Sequence, residues 1–120
     1  MAAWLNDYID HPEKYPNTAN ARSVSYIPVK FHIVGTDQGT GYYKLTYLWQ
    51  IVCELNEKYA PVGFYFYIYG GVEYINNSEY YIHDYNAGDQ MMETYNVDNV
   101  VNVYIVNGAA GNCGYYTYGP

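Results

Sequence analysis

Basic residues are scarce in this chain. Five Lys and Arg stand against twelve Asp and Glu, giving a net charge of −7, so no surface could neutralise a run of phosphates, and nucleic-acid binding is excluded. Half of the residues are hydrophobic, yet no uninterrupted apolar run approaches the roughly 18 residues that a membrane helix needs. The start, MAAWLNDYIDHPEKYP, has acids and prolines where a secretion signal would have a basic and then an apolar stretch. It reads as the beginning of a mature or excised chain. Walker and dinucleotide glycine motifs are missing, as is a Gly-x-Ser-x-Gly nucleophile turn. His11, His32 and His83 lie too far apart for a helical metal pair, and none has a neighbouring Glu. The residues alone therefore supply no catalytic constellation and no metal ligand set.

Cysteine is nearly absent too. Cys53 and Cys113 can form one disulfide in an oxidising compartment, worth about 4 kcal/mol on the chain-entropy argument, or remain as two buried thiols. Tyrosine, by contrast, occurs nineteen times. Its ring buries while its hydroxyl reaches water or a partner, so it suits strands with damp faces as well as a sugar-binding or assembly surface.

At 120 residues the chain is one domain with a single core. Residues 1–22, with Pro12, Pro16 and a short helix expected over Ala3 to Ile9, form a lead-in segment. Residues 23–120 form the domain. Between Val24 and Val34 the residues alternate, placing Val29, Phe31 and Ile33 on one face and Lys30 and His32 on the other, as in a strand. Gly35 to Gly41 is turn chemistry, and Asp37 lacks the further oxygen side chains of a calcium loop. Leu45, Leu48, Val52, Leu55 and Tyr59 recur at helical intervals and define the main helix, which Pro61 cannot continue. Phe64 to Ile75 alternates as a second strand, interrupted or bulged at Gly70 and Gly71. Asp89 to Tyr95 predicts a second, short helix, with Asp89 favouring its N-terminus.

Val100 to Val106 is β-branched and aromatic with no charge, the composition of a strand buried on both faces. Gly108, Gly111 and Gly114 then break regularity before Tyr115 to Tyr118, a Tyr-rich edge strand. Strands separated by helices call for parallel pairing through right-handed crossovers. The fold class is α/β: a mostly parallel twisted sheet, one main backing helix, a short second helix and the Tyr-rich edge strand.

Four stretches, YIPVKFHIVG (Tyr26 to Gly35), CELNEKYAPVGFYF (Cys53 to Phe66), YINN (Tyr74 to Asn77) and VVNVYIVNGAAGNCGYY (Val100 to Tyr116), resemble the N-terminal half of pappalysin-like metzincin zinc peptidases. The lead-in WLNDYIDHPEKYP is similar to the segment preceding that domain in secreted bacterial members. The resemblance implies the upper part of such a domain, a secreted protein, and an edge strand that holds substrate. That role carries over only to Gly114, Tyr115, Tyr116, Thr117 and Tyr118. The family's zinc helix, H-E-x-x-H-x-x-G-x-x-H, does not occur in these residues. The resemblance thus implies the N-terminal portion of a zinc metallopeptidase, not competent alone, with zinc belonging only to a complete member. It also implies a gap in the sheet, since the strand leading to the zinc helix would lie between the third strand and the edge strand. Val100 to Val106 is then expected to expose a pairing edge, or to be covered by another copy, a swapped strand or Tyr115 to Tyr118 folding back.

The partners implied are an extended peptide, or another copy in a homo-oligomer, joined by strand addition. The rival class is a Tyr-rich structural protein that assembles into a fibre through open strand edges. A third reading uses the rings of Tyr65, Tyr67 and Tyr69 to bind glycans.

Overall fold

A computed structural model of the chain describes Asp10 and residues 24–117. The lead-in helix expected over Ala3 to Ile9 lies outside the described residues. The fold is α/β, with elements β1 (Ser25–Gly35), α1 (Leu45–Tyr59), β2 (Phe64–Asn76), α2 (Ser78–Tyr81), β3 (Ile82–His83), α3 (Tyr85–Tyr95), β4 (Val101–Ile105) and β5 (Gly108–Ala109). β1 is the central strand of a three-stranded sheet in the order β2, β1, β4, and both of its pairings are parallel. A second, two-stranded parallel sheet joins β3 and β5.

β1 is where the core converges, because each of its faces packs a different layer. Val29, Phe31 and Ile33 bury with Leu48 of α1, while Val34 buries with Ile75 of β2 and Met91 of α3. Over His32 to Val34 both faces of β1 are therefore covered, with His32 buried on the α3 side, whereas toward its start Tyr26 is exposed and Lys30 half-buried, so there the alternation separates core from solvent.

The glycine interruption in β2 is a bulge. Val29 pairs with Ile68 and Phe31 with Val72, so three β2 residues face Lys30 alone. Gly70 and Gly71 adopt φ of 64° and 75°, a region that side chains other than Gly enter at a cost. Two extra residues, unlike one, return the strand to its original phase, and Ile68 and Val72 both pack on the Leu48 side. Lys30 fastens the bulge by donating from Nζ to the carbonyls of Gly70 and Gly71, each at 3.1 Å. The Gly35 to Gly41 segment is a plain turn. Asp37 accepts from the amide of Ser78 and donates its own amide to the Ser78 hydroxyl, tying that turn to α2.

Several expectations are corrected. α3 starts at Tyr85, not at Asp89, and its cap is Asp84, whose carboxylate accepts from the Ala87 amide at 2.8 Å. β4 lies at the edge of its sheet: Val103 and Ile105 pack on one face and Tyr104 and, just past the strand, Val106 on the other, but all stay half-buried and Val101 is exposed, so the strand is not fully buried. Gly114 to Thr117 form no strand, because a groove separates them from β4 and no ladder lies within reach. Cys53 and Cys113 are neither bonded nor buried; both thiols are exposed.

Candidate functional site

The site is the groove along the outer edge of β4, with a volume of about 780 Å³. Val101 to Asn107 line it on the sheet side, Met91 and Met92 contribute from α3, and Asn112 to Thr117 stand across from them. No Asp, Glu, Lys or Arg is among its lining residues. Among the described residues no strand pairs with β4 on this side. Alternate N–H and C=O groups of an edge strand point outward, so the groove offers backbone hydrogen bonds along an uncharged wall.

Of the residues expected at the substrate edge, Gly114, Tyr115, Tyr116 and Thr117 line this groove. Tyr118 lies outside the described residues. Tyr115 is anchored most firmly. Its hydroxyl is hydrogen-bonded to Nε2 of buried His83 at 2.9 Å, and Nδ1 of His83 donates to the Tyr80 carbonyl at 2.8 Å. A carbonyl can only accept, so Nδ1 carries a hydrogen and both ring nitrogens are engaged. The ring of Tyr115 meets that of Tyr85 edge-on, with centroids 5.2 Å apart. Burial, and then the charges of Asp89 and Tyr85, push the Tyr115 phenol above its ordinary value. Preceding residues are held as well: the Ala110 amide bonds the His83 carbonyl at 2.8 Å, and Asn112 Nδ2 donates to the Tyr85 hydroxyl at 2.9 Å.

On the sheet side a second polar cluster positions β4. Buried His32, from β1, places Nδ1 2.6 Å from Glu73 Oε1 on β2 and Nε2 2.9 Å from Asn102 Oδ1 on β4, so one ring ties all three strands. Asn102 also accepts from the Val97 amide and donates to the Val97 carbonyl, which fixes which end of its amide is oxygen. His32 must therefore donate from Nε2, and a single proton is shared between Nδ1 and Glu73. The Tyr104 ring stacks on His32 with centroids 4.1 Å apart and planes 8° from parallel. Its hydroxyl donates to Asn96 at 2.8 Å, and burial, then Glu73 and Tyr95, raise its phenol far above the ordinary value. Sequence reading missed this cluster, since its members are 41 and 70 residues apart.

The described residues do not fit a zinc site. No three His, Cys, Asp or Glu side chains among them could hold a metal ion, and both ring nitrogens of His32 and His83 are already engaged. Tyr65, Tyr67 and Tyr69 stand exposed along β2. No helix among the described residues is long and apolar enough to cross a membrane. No family model matches the chain, and no curated protein and no solved structure matches it significantly.

Proposed function

We propose that this chain is the N-terminal, scaffold portion of a secreted zinc-dependent metallopeptidase, supplying the sheet and a substrate-rim segment but not the metal centre. The observation that supports this reading is the position of the β4 groove, an uncharged cleft along an unpaired strand edge among the described residues. It lies where the resemblance to pappalysin-like peptidases puts the strand that leads into the zinc helix. With that strand in place, Gly114 to Tyr118 would become the outer edge of the sheet and the rail for an extended peptide.

The second reading is a Tyr-rich protein that assembles by strand addition, favoured by the same open edge of β4.

The test begins with the coding sequence downstream of Pro120, where an H-E-x-x-H helix is expected. A polypeptide extended through that helix should bind one zinc per chain and hydrolyse an unstructured protein in a chelator-sensitive way, while the 120-residue chain should not. Chelator-sensitive hydrolysis by the 120-residue chain, or downstream sequence without the zinc helix, overturns the reading.

A further inference from the structure

The two outer edges of the three-stranded sheet are treated differently. β4 faces an open groove, whereas β2 meets a side chain from the helix that precedes it. Asn56 of α1 donates from Nδ2 to the Phe66 carbonyl at 2.9 Å and accepts from the Phe66 amide at 2.6 Å. Both backbone groups of one β2 residue are thus taken by a single carboxamide. A carboxamide has the donor and acceptor of a peptide unit, so it sits where the backbone of an arriving strand would have to sit.

The surrounding sequence gives this contact its importance. Phe64 to Tyr69 reads FYFYIY, with no charge, no proline and no glycine. Such a run on an exposed edge invites pairing with another chain, and charges or prolines usually prevent it. Neither device is present here, because Lys30, the nearest cation on the neighbouring strand, is engaged with the Gly70 and Gly71 carbonyls. The bulge at Gly70 and Gly71 divides the outer edge of β2 into these six residues and a second regular run, Val72 to Asn76, which carries the charge of Glu73. Backbone groups in a strand alternate in direction, so Phe64, Phe66 and Ile68 face outward together, and Asn56 occupies the middle one.

We propose that Asn56 is an edge plug that bars strand addition along the uncharged half of β2, Phe64 to Tyr69, and leaves the β4 groove as the uncharged accepting edge of this sheet. A domain with one accepting edge takes on a single extended segment and stops. With two, β2 of one copy can pair with β4 of the next, a head-to-tail contact that does not close and grows into filaments. The proposal does not rest on the peptidase reading, since it concerns the edge opposite the groove.

The test compares the full chain with Asn56→Leu, which keeps similar bulk without a donor or acceptor, and Asn56→Ala, which removes the carboxamide and its bulk. Sedimentation velocity over a concentration series reads size, and far-UV circular dichroism verifies the fold. Both variants should associate more strongly than the parent by roughly tenfold or more. Adding Tyr67→Lys, a charge on the same edge, should reverse the gain. If Asn56→Leu fails to fold, Asn56→Ala decides. A folded Asn56→Ala of parental size at every concentration overturns the proposal, and so does association that Tyr67→Lys leaves unchanged.

Discussion

Replacing His32 by Leu should destabilise the domain by about 2–4 kcal/mol, and the figure follows from three contacts. The ring loses a hydrogen bond to Asn102 at 2.9 Å and a shorter one, 2.6 Å, to Glu73. A neutral bond contributes about 1 kcal/mol net and one to a charged partner about 1.5–3. The parallel stack on Tyr104, with centroids 4.1 Å apart, adds about 0.5–1.5 kcal/mol. Two effects work the other way. Glu73 is 36 % exposed, so it recovers much of its hydration once unpaired, and Leu gains apolar burial worth about 1 kcal/mol. With a urea slope of about 2 kcal/mol per molar for a domain of this size, the midpoint should fall by about 1–2 M without a change in slope. Adding Glu73→Gln to His32→Leu should cost much less than Glu73→Gln does alone, by about 1 kcal/mol or more, since the partner is already gone. Because His32 connects β1 to β4, amide exchange in Val101 to Ile105 should rise more than in α1. A midpoint shift below roughly 0.3 M would show that the three-strand tie does not support the sheet.

Three further outcomes follow from single contacts. The Tyr104 phenol is raised by burial, with Glu73 and Tyr95 adding to the shift, so its contribution is complete below the unfolded value of about 10 and is lost as pH climbs toward the folded one; urea midpoints should decline above about pH 10, and less steeply in Tyr104→Phe. Gly71→Val should cost about 1–2 kcal/mol from backbone strain alone, since φ is +75° and a Cβ there meets nothing within 4 Å, whereas Gly114→Ala, equally open and without positive φ, should stay within about 0.5 kcal/mol of the parent by thermal melting. Gly88→Ala should dislodge Tyr115, because the added methyl would strike its hydroxyl and come within 2.9 Å of the His83 ring; faster cleavage of Asn112 to Thr117 in limited proteolysis is the readout.

Where spacing alone carries the information, the sequence was a good guide. The apolar interval from Leu45 to Tyr59 delimits α1 to the residue, and Gly70-Gly71 marks the bulge. It failed where a distant contact overrides a local preference. Asp89 has the residue type of a helix start, yet α3 begins at Tyr85 and Gly88 lies inside it, where only a residue without a side chain lets His83 and Tyr115 approach. Val100 to Val106 has the composition of a covered strand because one edge is paired and its side chains pack above and below; composition does not report whether the second edge has a neighbour. The His32 cluster and the Asn56 contact left no local trace. The first joins side chains of β1, β2 and β4, the second a side chain of α1 to the backbone of β2, and each exists only once those elements have been brought together.

The contrast between the two edges bears on the choice between the readings. A fibre built by strand addition needs an accepting edge at each side of the sheet, yet the carboxamide of Asn56 stands against the longest uncharged stretch of β2. Association through β4 alone would end with one added strand, or with two copies sharing one groove. Two copies would each have to seat a segment in the other's groove, and the uncharged lining gives no charge pairing to orient them. A strand supplied by the same polypeptide meets neither difficulty. Its tether raises its effective concentration at the groove far above that of any free partner, and that argument favours a scaffold completed in cis over one that polymerises.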